Sequence, residues 1–493
     1  MNNDSFSIGI IGAGFSGALL AVHLLHRCRP GDRIYLIEKR AGFGRGLAYS
    51  TVNQNHLLNV RAGNMSAFQD QPDHFVEWLR RHQAESGAGS DANQDSFISR
   101  RLYGTYVRSL LCDELWSGGK GTNLYLVPDQ AVALHEAPDG VSLVVAGGRC
   151  YRLDAVVFAA GNLPPDRSQG AYFGNPWDPE AVTGIAKNAP VLLIGTGLTM
   201  VDVVLSLLDG QHRGPIHAMS RRGLLPQMHK PARPVELAVW DLPRTTSITK
   251  LTRWLRLGVR TAEAEGWDWR SVVDGLRPHL QDLWRRLSIE ERRRFLRHLR
   301  PWWDIHRHRM APTVATQLQA AIARGQLTVS AGRTVNITPG DSQVQVTYRP
   351  RNGELQTAEF ARVINCSGPE TNYRAAEDPL VHDLMRRGFA RPDPLGLGLE
   401  VSEQGALLSA DGRPSPRLFA LGPVTRGSFW EIVAVPDIRM HCARLAAHLA
   451  TRLREMNRNE SAARRQRGII SSPPEERPAD SVPPMLRPTA NGA

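Results

Sequence analysis

Two strand–glycine–helix segments and a tryptophan-rich stretch without strand patterns predict an α/β protein. The predicted architecture has two Rossmann-like dinucleotide-binding domains, the second inserted into the first, plus a helical insertion. The first segment, SIGIIGAGFSGALLAVHLL, spans Ser7–Leu25, and the second, VLLIGTGLTMVD, spans Val191–Asp202. In each, a short apolar strand runs into glycines and then a helix, an arrangement that surrounds a pyrophosphate with backbone N–H groups.

The first glycine loop has the full G-x-G-x-x-G spacing. Gly12 permits the tight turn, Gly14 lets the backbone approach the pyrophosphate, and Gly17 allows close packing of helix on strand. The next strand, Arg33–Ile37, ends on Glu38, 21 residues after Gly17, where an acid binds a ribose hydroxyl. The loop therefore predicts an adenine dinucleotide with a free ribose, and its binding residues include Phe15 and Ser16.

The second glycine loop differs in its third position and in the strand that follows. Gly195 and Gly197 form the turn, but Met200 stands where the third glycine is expected. The following strand ends in Arg221 and Arg222 instead of an acid. A guanidinium can hold a 2′-phosphate, so this loop predicts NADP. The alternative is that both arginines belong to a solvated turn.

Two matching strand–glycine segments flank the second unit. Val156–Gly161 and Val363–Gly368 are each a buried strand that ends on a small residue and a glycine. We expect the chain to cross between domains at these points, with Gly161 and Gly368 beside the cofactors. A third such segment, Leu418–Pro423, precedes a helix predicted from Val435 or Pro436 to Leu449.

The predicted division is a first FAD-domain part at 1–180, a first NADP-domain part at 181–235, the helical insertion at 236–310, the NADP-domain return at 311–360, the second FAD-domain part at 361–450, and a disordered tail at 451–493.

Five further motifs give the chain a family likeness over Ser7–Leu449. They are GRGLAYST at 44–51, HLLNVRAGNMSAF at 56–68, SRRGLLPQ at 220–227, WWDIHRHRMAP at 302–312 and LGPVTRGSFWEIVAVPDIR at 421–439. With them the chain resembles the bacterial FAD/NAD(P)-binding oxidoreductases related to flavin-dependent N-hydroxylating monooxygenases.

The resemblance implies FAD at Gly12, Gly14, Gly17 and Glu38, and NADP along Gly195, Gly197 and Arg221. It also implies a flavin ring bordered by the Leu57–Ser66 loop and by the Gly422–Pro436 segment. The residues expected to contact the cofactor there are Leu58, Asn59, Met65, Ser66, Gly422 and Pro423. Where the wider class often has an acid after the glycine, this chain has Pro423, which puts a contact to the ribityl chain in doubt.

The tryptophan-rich stretch, Pro234–Met310, is interpreted as helices that cover the mouth of the active site. Its segment DIHRHR places two histidines among arginines, but histidines two positions apart on a helix do not face each other, so no metal site is expected. We expect Arg307, Arg309 and Trp430 to bind the substrate, with Arg307 and Arg309 taking an anionic group. The alternative for the two arginines is structural packing.

Two titratable residues are candidates for holding a proton during the reaction, namely His56 and Glu431. Both have an equally plausible structural role. A catalytic serine elbow, a P-loop and an H-E-x-x-H zinc motif are not found in the sequence.

Composition and charge limit the partners and the cellular compartment that we expect for this protein. The chain has 493 residues and a formal net charge of +12, but it shows no RRM, zinc-finger or helix-turn-helix pattern, so nucleic acid is not expected as a partner. Five scattered cysteines without a C-x-x-C pair favour a reducing, cytoplasmic setting. Apart from Ile8–Leu25, which glycines interrupt, no apolar run reaches the ~18 residues of a spanning helix. We expect no metal and no membrane partner. A homo-oligomer is one alternative for the assembly.

Together these features predict an enzyme, a monooxygenase that consumes NADPH and uses FAD. It would oxygenate a small-molecule substrate, such as an amine or amino acid, with molecular oxygen through a flavin hydroperoxide. The alternative is an FAD/NADPH-dependent reductase or dehydrogenase that inserts no oxygen. A third hypothesis is a redox-sensing or scaffold protein whose basic insertion binds an acidic partner or nucleic acid.

Overall fold

The computed structural model describes residues 5–40, 42–86, 92–117, 123–163, 168–237 and 242–466. Its strands are β1 Ser7–Ile11, β2 Arg33–Ile37, β3 Leu124–Val127, β4 Ala131–Ala137, β5 Gly140–Val145, β6 Cys150–Leu153, β7 Ala155–Phe158, β8 Tyr172–Phe173, β9 Val191–Ile194, β10 Ile216–Ser220, β11 Leu327–Pro339, β12 Val344–Pro350, β13 Gln356–Phe360, β14 Arg362–Asn365, β15 Ala406–Leu408 and β16 Pro414–Ala420. Its α-helices are α1 Phe15–Leu25, α2 His74–Ser86, α3 Arg100–Ser117, α4 Leu198–Asp209, α5 Ile248–Ala264, α6 Trp269–Gly275, α7 Leu280–Arg286, α8 Ile289–His298, α9 Arg300–Arg307, α10 Pro312–Ala323, α11 Pro379–Arg386 and α12 Val435–Gln466.

The first sheet has the strand order β15-β16-β7-β1-β2-β3. All its neighbouring pairs are parallel except β15 with β16. The central strands β1 and β7 are almost entirely buried, which is typical of parallel strands covered on both faces. Helices α1, α3 and α12 pack on one face, while α11 and the small antiparallel sheet β4-β5-β6 pack on the other.

The second sheet has the strand order β13-β12-β11-β10-β9-β14-β8. Strands β8, β14, β9, β10 and β11 are parallel, and β12 and β13 extend the sheet as an antiparallel hairpin. Its core contains α4 and α10. The predicted α/β class with two Rossmann-like units is therefore confirmed.

The sheets assign two short strands differently from the predicted division. Strand β8 belongs to the second sheet although it lies before residue 180, and β14 belongs to it although it lies after residue 361. The chain leaves the first sheet after β7 and returns to it after β14. The division itself stays a prediction, with this difference at both edges.

The predicted helical insertion consists of α5 to α9, between β10 and α10. The segment has its own core, in which Leu251, Leu276, Leu283, Trp284 and Phe295 are buried. Trp430, from the far end of the chain, is part of the same core.

The predicted tail needs a correction at its start. Helix α12 does not end near Leu449 but continues to Gln466, and Leu453 is fully buried. A guanidinium nitrogen of Arg454 lies 2.8 Å from Asp32 Oδ2, and Asn457 Nδ2 donates to the carbonyl of Ser5. The apolar helical spacing thus extends into a basic stretch and docks it on the first unit. Residues 467–493 of the predicted tail lie outside the described residues.

Candidate nucleotide-binding and active site

The first glycine loop follows β1 and begins α1. Gly12 has φ +99°, and a Cβ there would lie 2.6 Å from the carbonyl oxygen of Ala159. A Cβ on Gly17 would overlap the carbonyl oxygen of Gly12. Gly14 is the N-cap of α1 and has no side-chain cap, so the first N–H groups of this helix are available for an anion.

Glu38 stands beside this loop. Its Oε2 accepts a hydrogen bond from Ala13 N at 2.9 Å, and its Oε1 accepts one from Arg40 N at 3.1 Å. A carboxylate at the carboxyl end of the neighbouring strand is thus held against the glycine loop. This placement is the one expected for an acid that binds a ribose hydroxyl.

The second glycine loop repeats the geometry of the first. Gly195 has φ +108°, and a Cβ there would lie 2.6 Å from the carbonyl oxygen of Cys366, as one on Gly12 would from Ala159. Gly197 is the N-cap of α4, and a Cβ on it would meet no atom within 4 Å. Met200, at the third position, is fully buried in the core of the second unit.

Gly161 and Gly368 occupy equivalent places after β7 and β14. They have φ +74° and +114°, and neither position has an atom within 4 Å of an added Cβ. Both backbones therefore face open space at the edge where the glycine loops lie.

The residues predicted to border the flavin have mixed roles. Leu58 and Met65 are buried in the core of the first unit. Ser66 is also buried, and its hydroxyl donates to the carbonyl of Gln71 at 2.6 Å, which holds the loop. The carbonyl of Asn59 accepts from His229 Nε2 at 3.0 Å, which ties this loop to the second unit.

The Gly422–Pro436 segment lies against the first glycine loop. Gly422 has φ +81°, and a Cβ there would lie 2.5 Å from Ser16 Oγ. Pro423 starts a short 3₁₀ turn. Phe15, next to Ser16, is buried and packs edge-on against Tyr49.

Arg221 lines a basic pocket, and it is the one arginine of this pocket that the sequence predicted as a nucleotide-binding residue. The pocket also contains Arg333, Arg349 and Arg351, from β11 and the end of β12. All four guanidiniums are exposed, and none forms an ion pair within the part of the chain that the structure describes. The sequence signal for the rest of the pocket is the pair Arg349 and Arg351, which are separated by one proline. Arg222 turns away, with its guanidinium carbon 5.8 Å from the ring of Trp302.

His56 forms a structural link instead of facing a reaction. Its Nδ1 lies 2.8 Å from Thr51 Oγ1, and its Nε2 lies 2.9 Å from both the carbonyl oxygen of Asp202 and Ser206 Oγ. Because a carbonyl only accepts, Nε2 carries the proton and Nδ1 accepts from the threonine. Burial lowers the pKa of His56, so it stays neutral. Both nitrogens have partners, which favours the structural alternative for this residue, and its catalytic role stays a prediction.

The same contact region contains a buried ion pair. Arg100 Nη1 lies 2.8 Å from Asp202 Oδ2, and both side chains are largely buried. Burial raises the pKa of Asp202, while the guanidinium partly offsets this rise. Asn53 and Asn55 donate to the carboxylate of Asp209 on the same helix, α4. The loop after Thr51 is thus fastened to the second unit.

Glu431 is the most unusual residue of the Gly422–Pro436 segment. It has φ +68° although it is not glycine, and only 2% of it is exposed. Trp303 Nε1 donates to its Oε1 at 2.8 Å. Arg307 Nε and His308 Nε2 lie 3.5 Å and 3.8 Å from its Oε2. Backbone strain of this kind persists only where the surroundings impose it, and such residues cluster at functional sites.

The surroundings of Glu431 favour its charged form. Burial alone would raise the pKa of this carboxyl, but His308, Arg307, the Trp303 hydrogen bond and Arg426 outweigh it and lower the pKa. Burial also lowers the pKa of His308, so at neutral pH the lasting positive charge comes from the two arginines. A carboxylate held in this way is a weak base and has no proton to donate.

The predicted substrate-binding residues are buried. Arg309 forms an ion pair with Asp274, and Arg307 faces Glu431, so neither guanidinium is free to take an anionic group. The structure therefore favours the packing alternative for both. Trp430 is buried with its ring stacked at 4.7 Å on Trp284, in the wall of an apolar cavity.

Two nucleotide cradles in one chain, each with a glycine loop between a parallel strand and a helix, define a dinucleotide-binding class of protein. Residues 9–163 match the model of the FAD-NAD(P)-binding family. The chain thus carries an FAD/NAD(P)-binding domain, as its motifs predicted. No curated protein sequence matches it.

Solved structures share the fold over nearly the whole chain. Ornithine hydroxylase PvdA from Pseudomonas aeruginosa, in its reduced form, has a TM-score of 0.61 at 15% identity and covers 91% of this chain and 100% of its own. Kutzneria ornithine N-hydroxylase KtzI, with reduced FAD, NADP⁺ and L-ornithine, has a TM-score of 0.60 at 15% identity and covers 91% and 99%. Bacillithiol disulfide reductase from Staphylococcus aureus has a TM-score of 0.52 at 12% identity and covers 91% and 98%. At these identities the likeness establishes the fold.

Two further findings concern partners. Among the residues that the structure describes, no three histidine, cysteine, aspartate or glutamate side chains come together in a group suited to a metal ion. Within the same residues, no helix combines the length and apolar character needed to span a membrane.

Proposed function

We propose that this protein is an NADPH-dependent FAD monooxygenase that hydroxylates the nitrogen of a small amine. In the balanced reaction, NADPH supplies two electrons and dioxygen supplies two oxygen atoms. One oxygen atom is inserted into an N–H bond, and the other leaves as water, whose two hydrogens balance the hydride of NADPH and one proton from solvent. The amine loses one hydrogen and gains a hydroxyl group.

One observation carries this proposal, which is the path of the Gly422–Pro436 segment. It starts against Ser16 of the first glycine loop, and its residues Trp430 and Glu431 contact tryptophans of the helical insertion. A single stretch therefore joins the FAD-binding loop to an apolar cavity. An apolar cavity excludes water, as a monooxygenase requires around the reacting oxygen.

The residues present fit FAD in the first unit. Only glycine is accommodated at Gly12 and Gly17, the α1 N–H groups are uncapped, and Glu38 lies at the ribose position. These residues would hold the dinucleotide, and FAD would supply the electron-accepting and oxygen-activating ring.

The chain's own residues then position groups and exclude water. The Glu431 carboxylate accepts from the indole of Trp303, a wall residue of the cavity, and faces the guanidinium of Arg307. The apolar wall removes water, which strengthens each electrostatic interaction inside. The proton role first considered for Glu431 is not part of this proposal, because its surroundings favour the carboxylate.

Two of the structural neighbours support amine hydroxylation. Two of them are ornithine hydroxylases, and a bacillithiol disulfide reductase has the same fold. The reductase therefore remains the alternative outcome of the test below.

The second unit supports NADPH as the electron donor. The basic pocket beside Arg221 offers four exposed arginines where a 2′-phosphate is expected. We expect Arg221→Ala to raise the KM for NADPH about tenfold and to leave the KM for NADH unchanged, since one charge-assisted hydrogen bond to phosphate is lost. Initial rates of flavin reduction at varied nucleotide concentration measure this. Arg213→Ala, an exposed arginine before β10 at the opposite end of the strand, is the control. Equal effects of both variants on the KM for NADPH would contradict the assignment.

The experiment for the overall function is stopped-flow absorbance of the FAD-loaded protein. The flavin is first reduced anaerobically with NADPH and then mixed with oxygenated buffer. We expect NADPH to bleach the flavin absorbance, and oxygen to restore it only after a distinct earlier spectral change. A direct, one-step return of the oxidised spectrum would favour the reductase. So would hydrogen peroxide formed in an amount equal to the NADPH consumed, both without an amine and with tryptamine as a test amine. A protein that NADPH cannot reduce would refute both.

A further inference from the structure

The helical insertion surrounds an apolar cavity. The cavity has a volume of about 570 Å³ and lies between α5 and the bundle α6 to α9. This is the size range of sites that bury a small molecule. We name it the tryptophan chamber after six of its wall residues, Trp254, Trp269, Trp284, Trp302, Trp303 and Trp430.

Charge is confined to the edge of the tryptophan chamber. Its charged wall residues on α5 are Arg256, Arg260 and Glu263, and all three are exposed. Two other polar side chains of the wall already have partners. Thr252 Oγ1 donates to the carbonyl of Ile248 at 2.7 Å, and His306 Nδ1 lies 2.7 Å from the carbonyl oxygen of Trp302.

An apolar interior of this kind selects against a short charged amino acid. Moving an ammonium or a carboxylate there would strip its water without supplying a hydrogen-bond partner, which is strongly unfavourable. A ring-bearing apolar body is favoured instead. The stacked indoles of Trp284 and Trp430 offer flat surfaces against which an aromatic ring packs well.

A cluster of buried charges lies beside Trp430, outside the wall of the chamber. Arg426 lies with its guanidinium carbon 4.6 Å from the ring of Trp430, and Arg307 and Arg277 lie in the same cluster. Glu431, Asp437 and Asp304 are the acids that face these three arginines. Three acids thus balance the three arginines, and it is the apolar interior of the chamber that disfavours the charged form of an amine. A neutral amine has the free electron pair that N-hydroxylation requires.

We propose that the tryptophan chamber is the substrate site and that it takes an amine with an aromatic, apolar body. This inference rests on the proposed function, because the same Gly422–Pro436 segment forms part of the chamber wall and contacts the first glycine loop. The chamber distinguishes the substrate class from the amino-acid amines named for two structural neighbours.

Calorimetric titration of the oxidised, FAD-loaded full chain tests the proposal without NADPH. The probes are indole, tryptamine and L-ornithine. We expect indole and tryptamine to bind and L-ornithine to give no measurable heat. Leu255→Trp, which fills the chamber from α5, should weaken binding of indole at least tenfold. Leu257→Trp, the same change on the same helix at a side chain that is 63% exposed, should leave it unchanged.

The outcomes separate this proposal from the proposed function. Tighter binding of L-ornithine than of tryptamine would contradict the proposal that the chamber is the substrate site. Equal binding of indole by the two leucine variants would contradict it as well. If Leu255→Trp loses its flavin, Val259→Trp on the same helix face replaces it in the comparison. If NADPH does not reduce the flavin but the protein still binds indole, the monooxygenase proposal is refuted, while the chamber is still supported as a binding site.

Discussion

Glu431→Gln is expected to lower the free energy of unfolding by about 3–5 kcal/mol at neutral pH, because it leaves buried guanidiniums without their counter-charge. Arg307 is 8% exposed, and its Nε and Nη2 are buried without a hydrogen-bond partner. The neutral amide keeps the volume of the side chain but cannot balance these charges. Denaturant unfolding followed by tryptophan fluorescence measures the difference.

The pH dependence of this difference has a defined sign. The pKa of Glu431 is lowered in the folded protein from its ordinary value of 4.5. The carboxylate's contribution to stability is therefore fully present above 4.5 and is lost as pH falls through the lower folded pKa. The gap between Glu431→Gln and the natural protein should thus narrow below pH 4.5.

Glu403→Gln provides a matched control. This glutamate is exposed, and its nearest cation, Arg285, lies 3.6 Å away. The same change there should alter stability by less than about 0.5 kcal/mol. If Glu431→Gln and Glu403→Gln behaved alike, the charge cluster around Glu431 would have no energetic role.

Gly17→Ala is expected to abolish FAD binding, leaving less than about a tenth of the normal flavin content. The added Cβ would overlap the carbonyl oxygen of Gly12, and neither backbone atom can move without opening the glycine loop. Alanine is otherwise a better helix former than glycine, so α1 itself would not be weakened. The flavin-to-protein absorbance ratio after purification measures the loss, and far-UV circular dichroism reports whether the helices remain.

Gly42→Ala is the comparison for this change. A Cβ on Gly42, just beyond the acid of the first unit, would meet no atom within 4 Å. Its flavin content should equal that of the natural protein. A Gly17→Ala protein with full flavin content would mean that the first loop does not hold the cofactor.

The glycine loops were predictable because their determinants are local. Strand, turn and helix follow one another within about 20 residues, and the φ values of Gly12 and Gly195 come from that local turn. The confirmed α/β class follows from the same segments. The continuation of α12 beyond Leu449 was missed because composition dominated the prediction, although Leu453 and Met456 continue the apolar spacing.

The contacts that decide the site are distant in sequence. Trp303 meets Glu431 across 128 positions, and His56 meets Asp202 across 146. No spacing rule links such residues, so the sequence left a catalytic and a structural role open for His56, and the contacts that favour the structural one could not be predicted. The tryptophan chamber was hidden for a similar reason, since helical periodicity identifies apolar faces but not the space left between them.

The bonds around Asp202 have a consequence for engineering. His56, Arg100 and the paired asparagines fasten a loop of the first unit onto α4, and Leu57 and Phe97 pack into the second unit's core. Grafting the NADP unit of another enzyme into this chain would leave a guanidinium and an apolar patch exposed at the seam. A working chimera therefore needs this seam transplanted along with the unit. The second unit can therefore be exchanged only together with the residues of the first unit that contact it.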